Sequence, residues 1–180
     1  MMQLKTFYFN PYRECTYVLW KDGQRECVLI DAGMYGEREE ERLRTFLTSE
    51  KLTPVALLIT HTHTDHVCGI DFVKQAYGIS PIVYPAEGRL DIAGMHFQVL
   101  RTPGHKEDSV CYHLPAEKWL FTGDTLFQES IGRTDLPGGD MGMLIQSLKK
   151  LTCLPDDTVV YPGHGYSTTI GHEKDYNPYL

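Results

Sequence analysis

The chain has 180 residues, of which 42% are hydrophobic and 23% are charged, and its formal net charge at pH 7 is −7. This length and composition predict a single globular domain over residues 1–180, large enough to bury a hydrophobic core. The acidic balance disfavours a general nucleic-acid-binding protein, because such proteins neutralise phosphates with lysine and arginine. No apolar stretch approaches the roughly 20 residues of a membrane-spanning helix. We therefore expect a soluble protein that binds neither nucleic acid nor membranes.

The cysteines indicate the redox environment. There are five of them, scattered along the chain without any CxxC pair: Cys15, Cys27, Cys68, Cys111 and Cys153. This pattern is typical of reduced thiols and not of a disulfide framework or a cysteine zinc site. The opening residues, MMQLKTFYFNPYREC, contain neither a long apolar run nor a small-residue cleavage site, so no signal peptide is predicted. Both observations predict a cytoplasmic location.

Short apolar runs with strand character dominate the chain, and a few helical segments lie between them. In chain order, the predicted strands are LKTFYF, TYVLW, CVLID, VALLIT, PIVY, HFQVL, SVCYHL, KWLFTG and TVVYPG. Helices are predicted from Glu37 to Lys51, from Ile70 to Tyr77 and from Asp140 to Leu151. This mixture predicts an α/β (α+β) fold of stacked sheets with helices packed outside, instead of a doubly wound parallel sheet.

Polar residues cluster where four of the apolar runs end. These runs lead into His61, His105, Asp124 and His164. The stretch ITHTHTDHVCG adds three further groups directly after the first of them, namely His63, Asp65 and His66. Because strand ends deliver side chains to the loops at an edge of a sheet, all seven residues are predicted to converge.

The chemistry of these groups indicates a metal site. Imidazole nitrogens and carboxylate oxygens suit zinc, and they also suit iron or manganese. His61 and His63 lie two positions apart, so an extended backbone would direct both side chains the same way. Such a layout suits two adjacent metal ions bridged by a carboxylate. Separate surface or capping roles would fit any one histidine, but they do not explain the joint occurrence of HTHTDH, TPGH, TGD and PGHG.

These motifs together resemble the metallo-β-lactamase superfamily. Its H-x-H-x-D-H signature stands from His61 to His66, and the later ligands follow in family order. The likeness runs from YVLW…CVLIDAG to PGHG and implies a four-layer αββα sandwich with a site at one edge between the sheets. FTGDTLFQESIGRTDLPGGD and VYPGHGYSTTIGHEKDYNPYL are more similar to the glyoxalase II (hydroxyacylglutathione hydrolase) branch. Its short bacterial members, which lack the C-terminal helical domain, are the best match.

The resemblance implies a role for each candidate residue. Two zinc ions would be bound, the first by His61, His63 and His105. The second would be bound by Asp65, His66 and His164, and Asp124 would bridge the two. The implied enzyme is a hydrolase in which a metal-bound hydroxide attacks a thioester such as S-lactoylglutathione. Asp65 and Asp124 would be its catalytic carboxylates.

Arg133, in IGRTD, lies where relatives place a cationic substrate contact, so it would bind a carboxylate of the substrate. The other interpretation is a structural arginine that fixes its own loop through Asp135.

Three departures from the family pattern concern the substrate. The usual TPGHTxGS is TPGHKEDS here, so Lys106, Glu107 and Asp108 replace a small turn beside a ligand. The stretch between IVYPAEG and LDIAGMHF is shorter than in many relatives. We also expect the helical domain that grips glutathione to be missing, since the sequence ends just after NPYL.

Several alternatives use the same motifs. A persulfide dioxygenase of this superfamily would hold a single iron with His61, His105 and Asp124. A non-catalytic metal-binding or partner-binding module would keep the ligands, with HKEDS blocking the site. Oxygen-reducing diiron relatives usually carry a glutamate in place of His63. A β-lactamase is disfavoured by the missing export signal, and a nuclease by the acidic balance.

Overall fold

The computed structural model describes all of residues 1–180. The chain folds as two compact units, each with its own β-sheet. The first unit comprises Met1–Ile59, His63–Val83 and Ile92–Gly94, and the second comprises Thr60–Thr62, Tyr84–Asp91 and Met95–Leu180. The assignment of residues 1–180 to one domain stays a prediction.

The first unit contains a mixed five-stranded sheet in the order β1-β2-β3-β4-β5. Its strands are β1 Met2–Phe9, β2 Glu14–Lys21, β3 Glu26–Ile30, β4 Thr53–Ile59 and β5 Pro81–Val83. Its helices are α1 Glu37–Ser49, α2 Thr64–Val67 and α3 Ile70–Tyr77. The strands β1, β2 and β3 pair antiparallel, whereas β3, β4 and β5 pair parallel.

Helix α1 supplies much of the core of the first unit. Leu43 and Leu47 lie one helical turn apart, and both are buried in one cluster with Leu29 of β3 and Leu57 of β4. The charged residues of the helix face outward, as the amphipathic pattern of its sequence predicts. Helix α3 contributes Val73 to the same cluster.

The second unit contains a six-stranded sheet in the order β13-β12-β9-β8-β7-β6, together with a small hairpin of β10 and β11. The longer strands are β6 Gly88–Ile92, β7 Met95–Arg101, β8 Val110–Leu114, β9 Trp119–Gly123 and β12 Val159–Pro162. The two-residue strands are β10 Leu126–Phe127, β11 Ser130–Ile131 and β13 Thr168–Thr169. The helices are α4 Met141–Leu151 and α5 Ile170–Tyr176.

Helix α4 closes the core of this second unit. Leu144, Leu148 and Leu151 are buried with Leu120 of β9 and Val160 of β12. The helix begins after Asp140, whose carboxylate accepts a 2.8 Å hydrogen bond from the Met143 amide. This N-cap satisfies one of the amides that a helix start leaves without a partner.

The observed elements confirm all nine predicted strands and the three predicted helices. The sequence did not predict β6, β10, β11, β13, α2 or α5. Both sheets are mixed, so the exclusion of a doubly wound parallel sheet is also confirmed. None of the helices is long and apolar enough to cross a membrane.

Candidate metal centre

Three of the predicted ligands follow strands that run in the same direction. In the second unit, β9 and β12 pair parallel, and β8 pairs antiparallel with both β7 and β9. The strands β7, β9 and β12 therefore all end at one edge of their sheet. His105, Asp124 and His164 follow these strand ends, so the sheet topology brings together residues that lie far apart in sequence.

Asp124 lies between two of these imidazoles. Its Oδ2 atom is 3.5 Å from His105 Nε2 and 3.6 Å from His164 Nε2. His61, which belongs to the same unit, places its ring centroid 4.9 Å from that of His105, with the ring planes at 82°. The structure therefore groups four predicted ligands in the second unit. One carboxylate oxygen faces two imidazole nitrogens, as in a bridging role.

A hydrogen bond to a backbone carbonyl orients the His105 imidazole. His105 Nδ1 donates to the Arg133 carbonyl at 2.7 Å, and because a carbonyl only accepts, the lone pair of this ring is on Nε2. His61 Nδ1 lies 3.1 Å from the Thr60 hydroxyl. Metal-binding histidines usually bond through their second nitrogen to an oxygen in this way. The donor set and its orientation thus fit a metal ion held by Nε2 atoms and a carboxylate.

The first unit carries the other three predicted ligands. His63 is the N-cap of α2 in an extended conformation, and Asp65 and His66 lie within that helix. His66 is fully buried, and its Nδ1 donates to Asp31 Oδ2 at 2.8 Å. Its Nε2 is therefore the ring nitrogen with the lone pair, and it lies 3.8 Å from Asp65 Oδ2.

Two buried carboxylates beside His66 were missed by the sequence analysis. Asp31 directly follows β3, and Glu14 begins β2, which pairs antiparallel with β3, so both lie at one edge of the first sheet. Ligand atoms of Glu14, Asp31 and His66 lie within 4.8 Å of one another. For Asp31, the available signal was a carboxylate at the end of the apolar run CVLID.

The buried Glu14 carboxyl is harder to ionise than an ordinary glutamate. Burial raises the pKa of its carboxyl well above the usual range, although the nearby His66 lowers it in part. The Thr16 hydroxyl donates to Glu14 Oε2 at 2.8 Å and accepts from the Gly33 amide at 3.0 Å. The burial of this carboxyl therefore favours its neutral form, since desolvation disfavours the charged one.

The backbone of the IGRTD segment passes very close to the ligands. A Cβ atom on Gly132 would lie 1.8 Å from the Asp124 carbonyl oxygen and 2.9 Å from His105 Nδ1. Only glycine fits here, and the next residue, Arg133, supplies the carbonyl that orients His105. The motif therefore has a structural role at the candidate centre.

We expect Gly132→Ala to destabilise the protein by about 1–3 kcal/mol through overpacking and to weaken metal binding by displacing the Arg133 carbonyl. Thermal unfolding without metal and a chelator-competition titration measure the two effects. Gly142→Ala is the matched control, because apart from its chain neighbours and its own helix backbone the added Cβ would approach only Asp140 Oδ1, at 3.2 Å. Unchanged unfolding and metal affinity in Gly132→Ala would contradict this account.

The Arg133 side chain forms a two-point ion pair within its own loop. Its Nε and Nη2 atoms donate to Asp135 at 2.7 and 2.6 Å, and both side chains are exposed. This pairing lowers the pKa of Asp135 to about 2. The structure thus displays the local interaction that the second interpretation of Arg133 describes. The Arg133 backbone carbonyl, and not its side chain, contacts the predicted ligand His105.

The C-terminal motif TTIGHEKDYNP also has a structural function. Glu173 is fully buried and accepts hydrogen bonds from the Thr168 hydroxyl at 2.6 Å, the Glu129 amide at 2.7 Å and Asn177 Nδ2 at 2.8 Å. Asn177 also donates to the Ser130 carbonyl at 3.1 Å. These bonds hold the β10–β11 hairpin, which leads directly into the IGRTD segment.

The fold and the grouped side chains define an α/β protein with the donor set of a metal-binding enzyme. The family model described as "Metallo-beta-lactamase superfamily" matches residues 13–98 and 87–164. The chain belongs to the metallo-β-lactamase superfamily. This confirms the fold class and the superfamily predicted from the sequence.

Individual relatives carry different names. The chain is 32% identical to hydroxyacylglutathione hydrolase GloC of Haemophilus influenzae, over 99% of this chain and 98% of that protein. Among solved structures, BLEG-1 B3 metallo-β-lactamase superposes with a TM-score of 0.93 at 36% identity, covering 99% of each chain. ETHE1 from Myxococcus xanthus gives 0.89 at 30% identity, covering 98% and 83%. The glyoxalase II-like branch therefore stays a prediction.

Proposed function

We propose that this protein is a metal-dependent hydrolase of small thioesters such as S-lactoylglutathione. The observation that carries the proposal is the placement of Asp124 Oδ2 within 3.6 Å of the Nε2 atoms of both His105 and His164. A shared carboxylate of this kind suits a pair of metal ions. The similarity to GloC, which is named a hydroxyacylglutathione hydrolase, supports the thioester as the substrate class.

The proposed ligand assignment follows the family resemblance. One zinc ion would be bound by His61, His63 and His105, and a second by Asp65, His66 and His164, with Asp124 shared. Iron or manganese would suit the same nitrogen and oxygen donors. When bound, the pair supplies Lewis-acid polarisation of the thioester carbonyl and a water acidic enough to ionise near neutral pH.

The remaining steps belong to side chains of this protein. Asp65, whose side chain is 21% exposed, would orient the attacking water and accept its proton. The leaving group departs as a thiolate. It needs no prior protonation, because thiols have a typical pKa of only about 8.5. Arg133 would bind a substrate carboxylate by exchanging its ion pair with Asp135 for one with the substrate.

A single-iron persulfide dioxygenase is the second candidate. It requires only His61, His105 and Asp124, and these three lie together within the second unit. It therefore does not depend on any residue of the first unit. The two candidates differ in metal content and in the need for oxygen.

Metal analysis of the purified protein, combined with turnover of S-lactoylglutathione and of glutathione persulfide, tests the proposal. We expect two zinc ions per chain and release of glutathione from the thioester. His61→Ala and His164→Ala should each lose one zinc ion and the turnover of the thioester. His96→Ala is the matched control, since this histidine is exposed and bonded to Asp91. One iron per chain with oxygen consumption on the persulfide would favour the dioxygenase, and bound metal without turnover would indicate a non-catalytic module.

A further inference from the structure

The altered turn TPGHKEDS forms a polar cluster of Thr62, Lys106 and Asp108, here called the turn cluster. The Thr62 hydroxyl donates to Asp108 Oδ2, and the Thr62 amide donates to Asp108 Oδ1 at 3.4 Å. Lys106 Nζ donates to the Thr62 hydroxyl oxygen and lies 3.3 Å from Asp108 Oδ2. Each of the three side chains thus contacts the other two.

Burial distinguishes the turn cluster from ordinary surface ion pairs of the same unit. The side chains of Lys106 and Asp108 are 20% and 17% exposed, whereas those of Lys118 and Asp157 are 56% and 61% exposed. Exposed pairs contribute little because water and salt screen them. Charge-assisted hydrogen bonds in a partly buried pair are stronger and hold a more defined geometry.

The turn cluster joins the two backbone segments that carry His61 and His105. Thr62 directly follows His61, and Lys106 directly follows His105. On the other side of His61, the Thr60 carbonyl accepts a 2.8 Å hydrogen bond from the Val110 amide. The segment of His61 is therefore bonded to the segment that follows His105 both before and after the ligand.

We propose that Thr62, Lys106 and Asp108 are positioning residues that set the separation of the His61 and His105 imidazoles, and thereby the affinity for the metal ion that these two histidines bind. The proposal rests on the proposed function, since it requires a metal at these histidines. Side-chain bonds between the two segments constrain the separation of the two imidazoles.

The turn cluster would preorganise His61 and His105 for metal binding. A metal ion binds best when its ligands already stand at the required separation, and supporting residues that orient ligands typically change metal affinity by about 10–100-fold when mutated. The turn cluster contacts the His61 and His105 segments, whereas His66 is oriented by Asp31 in the first unit. Loss of the turn cluster should therefore affect one metal-binding step and not the other.

Stepwise zinc affinities, measured by competition with a chromophoric chelator, test this proposal on the full chain. We expect Asp108→Asn and Thr62→Val each to weaken one zinc-binding step by about 10–100-fold and to leave the other unchanged. Thr62→Ser keeps the hydroxyl and should bind zinc as the wild type does. Asp157→Asn is the matched control, because it removes the carboxylate of an exposed lysine–aspartate pair in the same unit.

The outcomes separate this proposal from the proposed function. If the wild type bound no zinc, the proposed function would fail, and the positioning role with it. If the wild type bound two zinc ions and Asp108→Asn bound both equally well, only the positioning role would be overturned. Equal weakening of both steps, accompanied by a lower unfolding temperature of the metal-free protein, would also overturn it, since the turn cluster would then only stabilise the fold.

Discussion

Replacing Asp124 with asparagine is expected to lower kcat/KM for the thioester by more than about a hundredfold and to remove at least one of the two metal ions. Mutating a residue that only orients a ligand already costs about 10–100-fold. Asp124 has a more direct position, because one of its oxygens lies within 3.6 Å of imidazole nitrogens from both His105 and His164. Asparagine keeps the shape of the side chain, but its uncharged amide oxygen is a weaker metal ligand than a carboxylate oxygen.

Metal content per chain and steady-state kinetics together measure this effect, with circular dichroism to confirm that the variant folds. Asp157→Asn is a suitable control, since this exposed aspartate also lies in a loop of the second unit and pairs with Lys118, which has no part in the proposed site. Asp124→Asn that retained two metal ions and wild-type turnover would exclude the bridging role, and with it the assignment of seven ligands to two ions.

Four of the candidate ligands were predictable because each follows a run whose pattern is strong, and the other three stand directly after the first of these in HTHTDH. The apolar runs before His105, Asp124 and His164 are strands β7, β9 and β12, and they end at the same edge of their sheet. Neither strand order nor strand direction follows from the runs themselves, since pairing partners are distant in sequence. The family resemblance supplied that information before the structure did.

Four of the six missed elements are too short to show a periodic pattern. Strands β10, β11 and β13 have two residues each, and α2 has four. Helical or strand periodicity needs a longer window to stand out from chance. Helix α5 has seven residues, and its sequence IGHEKDY buries only Ile170 and Glu173. It therefore has no apolar face from which a helix could be predicted.

Glu14 was missed for a different reason. A carboxylate at the start of an apolar strand predicts an exposed end, because burial of a charge is costly. Its burial became possible because the nearby Thr16 hydroxyl, itself bonded to the Gly33 amide, donates to Glu14, and because the distant residue His66 lies 3.9 Å from its other oxygen. A Cβ atom on Gly33 would lie 1.9 Å from Glu14 Oε2. The glycine of LIDAG thus leaves the space that the carboxyl occupies.

The second large effect is expected at Asp31, which orients His66. Its φ angle is +59°, in the left-handed region that asparagine tolerates far better than alanine does. Asp31→Asn therefore removes the charge with little backbone strain, and its amide oxygen can still accept the hydrogen bond of His66 Nδ1. We expect zinc affinity of the His66 step to fall by about 10–100-fold, because a carboxylate makes the partner nitrogen more basic.

Asp31→Gly completes this test, because glycine also accepts a positive φ angle but offers no acceptor to His66. If orientation matters more than charge, the glycine variant loses zinc affinity while the asparagine variant keeps it. If charge matters, both variants lose affinity. In either case the Asp31 variants must weaken the zinc-binding step that Asp108→Asn leaves unchanged. Asp31 supports His66, whereas Asp108 supports His61 and His105. Weakening of the same step by Asp31→Asn and Asp108→Asn would show that His66 and His61 bind one ion, and the assignment of ligands to two ions would then be wrong.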